Sequence, residues 1–393
     1  SLNGTEDSGP MRAAMPISDL VAGLYLKNRS SKSFVFCTTG PGRVSRRSNL
    51  SSENPIPSLP SPILAWLEKA WRVGASLGEW RHQRQVLRGI WPLKLSVPVI
   101  SIGNLTVGGT GKTPTTVSLA RAWQKRGGHP GILSRGYKGG ADGNDEYHML
   151  KEQLPDVPHL QNPQRHKAGE QLLKAYPEVD LLFLDDGFQH RRLYRDLDVV
   201  LCDAKDPFGG GYCLPRGRLR EPVTALARAQ HILLTRSERC TEIELKNVRG
   251  FFRQMFPTIP VSLARTEVVG LQKLSGEKLD QYPEGQFLPF SAIGDPSGFQ
   301  HSLKSHGIQI HPSICFRDHH SFRSTDLATL ERKSTELGAA GLICTLKDAV
   351  KIREMTLPAG LQNRVYVLEI RQNIDSTELL EGFRPGTPRG EVN

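Results

Sequence analysis

Apolar residues at Ile63, Leu67, Ala70, Trp71 and Leu77 recur at helical spacing, with Glu68, Lys69 and Arg72 on the other side. They predict an amphipathic helix behind a Pro- and Ser-rich linker over 54–62. Arg81, Arg84, Arg88 and Lys94 follow, interleaved with Trp80 and Trp91. That mixture suits an anionic bilayer surface, with tryptophans at headgroup level; a helix packed on its own domain fits it as well. From Val97 onward, short apolar runs alternate with helical patterns. The runs at 98–102, 131–133, 180–184, 199–202 and 231–235 predict buried parallel strands, and a helix over 115–125 ends at Gly127-Gly128. Runs at 287–293, 341–345 and 365–370, with a helical pattern over 324–337 among them, continue the alternation. The expected architecture is a doubly wound α/β fold in which 96–265 form one lobe and 266–393 a second, smaller α/β lobe, with a cleft between them.

Composition narrows the class. The 393 residues allow two ordinary domains, and no stretch of about 18 uncharged apolar residues offers a membrane-spanning helix. Six scattered cysteines include no Cys-x-x-Cys pair, which speaks against a zinc ribbon or a disulfide framework and for a reducing compartment. A formal charge of +11 implies an anionic partner. With no aromatic RNA-binding signature and no zinc-finger spacing, nucleic acid is not expected among the partners. Residues 11–52 carry Arg12, Lys27, Arg29, Lys32, Arg43, Arg46 and Arg47 against the single acid Asp19, and are rich in serine. That is the composition of an organelle transit peptide, and residues before Met11 read as upstream sequence. Segment 1–52 is therefore expected to be a disordered targeting extension, with linker and helix over 53–95. Its arginines favour the mitochondrion over the chloroplast, with peripheral attachment to the inner membrane.

Candidate chemistry enters at Thr106-Val107-Gly108-Gly109-Thr110-Gly111-Lys112-Thr113. The spacing is that of a Walker A loop, with Thr106 at the first position where glycine is usual. Backbone N–H groups of such a turn, with the dipole of the helix that begins there, cradle phosphate oxygens. Lys112 would reach the outer phosphates and the Thr113 hydroxyl a Mg2+. The fold prediction sharpens to a P-loop NTPase-type sheet, with ATP and Mg2+ as expected cofactors. Asp185-Asp186-Gly187-Phe188-Gln189-His190 stands at the end of the 180–184 run, where P-loop enzymes keep a second acidic Mg2+ contact. Asp145-Glu146 lies in a glycine-rich loop after Ser134-Arg135-Gly136-Tyr137, and Asp318-His319-His320 offers a carboxylate with two imidazoles. Arg216, Arg218 and Arg220 can grip a phosphorylated substrate or the transferring phosphoryl group. By itself the glycine loop also fits an ATPase or GTPase switch or a metallochaperone, which would hydrolyse nucleotide without a lipid acceptor.

In their joint order and spacing these motifs resemble one family, the tetraacyldisaccharide 4'-kinases of lipid A biosynthesis. The resemblance runs from about residue 60 to the C-terminus and also includes Gly103-Asn104-Leu105, Leu219-Arg220-Glu221-Pro222 and Lys347-Asp348-Ala349-Val350-Lys351. It implies transfer of the ATP γ-phosphate to the 4'-hydroxyl of a lipid A disaccharide 1-phosphate, on a peripheral membrane enzyme whose residues 61–94 touch the bilayer. With the transit-like extension, it points to a plant organellar member. Carried over by position, the resemblance implies Asp145 as general base, aided by His319 or His320, and Lys112 as the group that neutralises phosphate charge. It further implies Thr113, Asp185, Asp186 and Glu221 as Mg2+ or nucleotide contacts, and Arg135, Gln189 and Arg220 as substrate contacts. The chain departs from the family pattern at Asn144 for glycine, Tyr147 for proline, Arg216 and Arg218 for smaller residues and Leu346 for glutamate.

Overall fold

The structure, a computed structural model, describes residues 61–136 and 144–386. The expected targeting extension over 1–52, the linker up to residue 60 and Tyr137 lie outside the described residues. Helix α1 (Ser61–Leu87) comes first. The elements β1 (Val99–Asn104), α2 (Lys112–Lys125), β2 (Pro130–Ser134), α3 (Asp145–Gln153), β3 (His159–Gln161), α4 (Arg165–Ala175), β4 (Leu181–Asp185), β5 (Leu197–Asp203), β6 (His231–Thr235) and α5 (Glu242–Met255) build the first half. The long strand β7 (Val261–Lys273) then leads to β8 (Leu288–Ser291), α6 (Pro296–Ser305), β9 (Ile314–Cys315), α7 (Ser324–Glu336), β10 (Leu342–Thr345), α8 (Leu346–Ile352), β11 (Val365–Ile374) and α9 (Ser376–Leu380).

These strands share one sheet in the order β3-β2-β4-β1-β5-β6-β7-β11-β10-β8-β9. Neighbours run parallel except β7 and β11, an antiparallel ribbon that pairs Ala264 with Ile374 at one end and Lys273 with Tyr366 at the other. Strands β1, β2, β4 and β6 are buried at every position, because helices cover both faces, and so they read in the sequence as unbroken apolar runs. Strand β7 mixes buried Leu271 with Arg265, Glu267 and Lys273, so it carries no such run and went unpredicted. The division expected at 265/266 falls inside β7.

On one face of the first half, Trp123 of α2 packs with Ile100, Ile102, Phe183 and Leu233; Leu379 and Leu380 of α9 join the same cluster. On the other face Leu105, Phe188, Phe208 and Phe252 form a second core. The second half has its own, around Phe290, Leu330, Leu342, Cys344 and Val367.

Helix α1 stands at the edge. Its inward side holds Leu64 and Glu68; Glu68 accepts from the Cys213 amide at 3.3 Å and pairs with Arg216 at 3.4 Å, while Glu79 pairs with Arg191. Ile63, Trp66, Ala70, Val73, Leu77 and Trp80, spaced alternately three and four residues apart, lie along the other side and are exposed, Trp66 at 68%, Leu77 at 55% and Trp80 at 51%. The expected apolar face is thus rotated. Trp71, assigned to it from the sequence, stays 44% exposed but turns its indole toward the cleft, donating its Nε1 hydrogen to the Arg220 carbonyl at 2.9 Å. No helix among the described residues is long and apolar enough to cross a membrane.

Candidate active site

Parallel strands align their C-terminal ends, and here those ends surround one cleft. β4 lies between β2 and β1, with Ile102 beside Asp185 in register. The loop after β2, the end of β4 and the glycine loop after β1 therefore meet. In the second half, β8, β9 and β10 deliver Gly294, Asp318, His319 and Lys347 to the opposite wall. The resulting cavity encloses about 1120 Å³, room for a nucleotide and part of a second substrate.

The glycine loop is built to approach phosphate. Gly103 allows β1 to touch the next turn, since a Cβ there would lie 2.5 Å from the Cβ of Phe188. Gly111, at φ +85°, turns the chain into α2 so that its first amides face the cleft. The departure at Arg218 reinforces the turn: its guanidinium donates to the Val107 carbonyl at 3.1 and 3.3 Å. Lys112 donates to Asn104 Oδ1 at 3.3 Å and lies 3.5 Å from Asp186. Thr113 lines the cavity beside it.

Asp185 and Asp186 diverge because Asp186 adopts φ +52°, a left-handed turn that aspartate tolerates. Arg220 reaches Asp186 at 3.0 and 3.2 Å and Gln189 Oε1 at 3.2 Å; Gln189 in turn donates to the Asn104 carbonyl at 2.9 Å. Burial pushes the Asp185 carboxyl up to about 7, the charges of Glu146 and Asp186 add to the rise, and Lys112 opposes it. Burial acts on Asp186 too, yet Lys112 and Arg220 outweigh it and leave that carboxyl below its usual range. A buried carboxyl crowded by acids is a place where a divalent cation would restore the charged form. Among the described residues no three His, Cys, Asp or Glu side chains converge as a ready-made cage. Mg2+ takes one or two carboxylates and completes its shell with water and phosphate oxygens. Asp185, Asp186 and Thr113 fit such an ion. Glu221 does not line the cavity: it pairs with Arg228 at 2.8 Å.

Asp145 opens α3. The departures around it have structural work: the Asn144 side chain caps the helix by accepting from the Tyr147 amide at 3.0 Å, and Gln161 clamps the same Asn144 oxygen at 3.0 Å. The Asp145 carboxylate meets residues of the second half, His319 Nδ1 at 3.5 Å and Lys351 Nζ at 3.2 Å. Burial disfavours its charge, but the hydrogen bond to His319 and the charges of Lys351 and Lys347 hold it down at about 2. Lys347 bridges Asp318 at 3.1 Å and His319 Nε2 at 3.4 Å.

The two histidines separate. His319 faces Asp145, whereas His320 is bonded to Asp326 at 2.9 Å and stacked on Phe316 at 4.9 Å, outside the cavity. Alanine at 320 should therefore cost about 1–3 kcal/mol of stability in denaturant unfolding with little effect on kcat; alanine at 319 should lower kcat and leave the unfolding midpoint nearly unchanged.

Two cleft residues, and one lysine that pairs with Asp145, escaped the sequence reading. Arg165, buried at the start of α4, is held down to about 10 by burial and by Arg135, which also lines the cleft. Arg236, at φ +58° after β6, donates to the Gly109 carbonyl and reaches Asp203 at 2.6 Å and Asp295 at 3.2 Å, so one side chain ties the glycine loop to the second half. Its place at a strand's C-terminal end was a usable signal. Lys351 lay within a motif already noted, but nothing in the sequence tied it to Asp145.

The sequence model of the family described as tetraacyldisaccharide-1-P 4'-kinase matches residues 61–384. A tetraacyldisaccharide 4'-kinase of Anaeromyxobacter dehalogenans is 34% identical over 347 residues, covering 84% of this chain and 89% of that protein. One of Syntrophus aciditrophicus is 35% identical over 327 residues, covering 74% and 84%. The crystal structure of LpxK from Aquifex aeolicus in complex with ATP superposes with a TM-score of 0.62 at 27% identity, over 81% of this chain and 96% of that one. With the family matched across nearly all the described residues, and a P-loop facing an acidic strand end in its cleft, the chain belongs to the tetraacyldisaccharide-1-P 4'-kinase family.

Proposed function

We propose that the protein transfers the γ-phosphate of ATP to the 4'-hydroxyl of a tetraacyldisaccharide 1-phosphate, the phosphorylation step of lipid A assembly. The observation that carries this reading is the meeting of Lys112, Asp185 and Asp186 in one cavity whose far wall supplies His319, with the Asp145 carboxylate held 3.5 Å from that histidine at the cavity's edge. Glycine-loop amides and Lys112 hold the β- and γ-phosphates, and Arg165 and Arg220 add positive charge around the transferring group. Mg2+, when bound by Thr113, Asp185 and Asp186, supplies further neutralisation of phosphate charge. Asp145 accepts the hydrogen of the attacking hydroxyl, which becomes acidic as its bond to phosphorus forms. Its low basicity suits a late proton transfer, and His319, whose Nδ1 donates to the carboxylate, holds and orients it for that role. Arg135, Gln189 and Arg220 orient the acceptor. An ATP-dependent phosphorylation assay with disaccharide 1-phosphates in detergent micelles tests the reading; ATP hydrolysis indifferent to acceptor would return it to a P-loop ATPase.

The exposed stripe on α1 supports peripheral membrane attachment over 61–94, the apolar side chains entering the interface and Arg81, Arg84 and Arg88 meeting anionic headgroups. Changing Trp66, Leu77 and Trp80 together to serine should abolish vesicle co-sedimentation and leave the melting temperature nearly unchanged. Retained sedimentation would refute this role for α1. The basic, serine-rich 1–52 supports an organellar address, mitochondrial before chloroplast, in a plant.

A further inference from the structure

Asp145 is the first residue of α3, and the two partners of its carboxylate, His319 and Lys351, both belong to the second half. Its place in the first half is set from β3. The Gln161 side-chain amide has two hydrogens to give and uses both, one on Asn144 Oδ1 at 3.0 Å and one on Ser134 Oγ at 3.0 Å. Asn144 Oδ1 also accepts from the Tyr147 amide at 3.0 Å, which fills its acceptor capacity. Ser134 Oγ lies 2.8 Å from His159 Nε2, and the ring of that histidine packs on Tyr147 with centroids 4.9 Å apart. Burial pushes the His159 imidazole down to about 4, so at neutral pH it meets both neighbours uncharged. The two strands can approach because Gly136, at φ +67°, has no side chain: a Cβ there would lie 3.1 Å from the Cβ of Gln161.

The residues on either side of Asp145-Glu146 are thus both tied to β3, Asn144 by a hydrogen bond and Tyr147 by ring packing. Gln161 itself does not line the cleft. We infer that Gln161, backed by Ser134 and His159, is a positioning residue for Asp145: it fixes the turn that opens α3 and so sets where the carboxylate meets the attacking hydroxyl. His319 and Lys351 attract that carboxylate toward the second half, and the bonds of Gln161 resist the pull from the first. The requirement on placement is steep, since a displacement of about 1 Å can cost about 10²-fold in rate. The inference rests on the proposed reaction, in which Asp145 accepts the hydroxyl hydrogen. Gln161 touches no reacting group and acts through Asp145 alone.

The test is a double-mutant cycle on phosphoryl transfer to disaccharide 1-phosphate in detergent micelles. Gln161→Leu and Gln161→Glu are each made in the full chain and in its Asp145→Asn variant. Leucine removes the amide, and glutamate keeps its size but has no hydrogen to donate at neutral pH. Gln161 is half-buried, so the fold should tolerate both changes, which circular dichroism checks; if the leucine variant does not fold, the glutamate variant carries the measurement. In the otherwise unaltered protein either substitution should lower kcat by about 10- to 100-fold, with KM for ATP and for the acceptor within about twofold. In Asp145→Asn the same substitutions should lower kcat by less than about threefold, because no carboxylate is left to place. A kcat within about twofold of the unaltered protein overturns the inference. So do equal losses in both backgrounds, which would make the network a general support of the site. If the unaltered protein phosphorylates no acceptor, the proposed function fails and the inference falls with it, whereas active protein with unimpaired Gln161 variants sinks the inference alone.

Discussion

Lys112→Met should lower kcat by about 10³-fold or more, with the unfolding midpoint close to that of the unaltered protein. In the proposed reaction the lysine neutralises charge on the phosphates as they separate, an interaction strongest in the transition state, so kcat and kcat/KM should fall together. Its folded-state partners are replaceable: Asn104 keeps its bond to the Thr106 carbonyl at 2.7 Å, and Asp186 keeps Arg220 at 3.0 Å. One further effect has a definite sign. Lys112 is the positive group that most opposes the rise of the Asp185 carboxyl, so its removal should raise that carboxyl further and weaken Mg2+ binding around neutral pH. Equilibrium dialysis with nucleotide and single-turnover phosphoryl transfer check the two parts. Turnover within tenfold of the unaltered protein would remove Lys112 from the chemistry.

Asp145→Asn should lower kcat by about 10²–10⁴-fold, the range for loss of a positioned proton acceptor. Because the folded carboxyl is held at about 2, below the unfolded value near 4, its pairing with His319 and Lys351 contributes stability above about pH 4. That contribution is lost as pH falls through about 2. Asp145 is therefore ionised throughout the neutral range, and any acid limb of kcat near neutrality belongs to another group. The pH–kcat profile of the asparagine variant should run parallel to that of the unaltered enzyme, displaced downward. A limb present before the substitution and absent after it would assign the titration to Asp145 and overturn this account.

Legibility from the sequence followed burial. Strands covered on both faces, such as 231–235, announce themselves as apolar runs, and glycine-rich phosphate loops carry their own spacing. Strand β7 and helix α3 are half-exposed and polar, and neither gives a periodic signal strong enough to read. Within the site, residues adjacent in sequence were found as motifs. Residues joined only by the fold were not: Arg236 beside Gly109, and Lys351 beside Asp145, bring together positions more than a hundred residues apart. Adjacency also misled. His319 and His320 look equivalent in the chain, but the φ of +60° at His319 sends one ring to Asp145 and leaves the other against Phe316. Glu221 follows Arg220 directly, yet only the arginine enters the cleft.

The return of β11 and α9 to the first half governs the order in which the protein can be completed during synthesis. The glycine loop is translated early, but the core beneath it lacks Leu379 and Leu380 until more than 250 further residues have been added. At ribosomal rates of about 5–20 residues per second, the nascent glycine loop spends about ten seconds or more on an unfinished base. The binding surface therefore matures only once Leu379 and Leu380 have left the ribosome and docked.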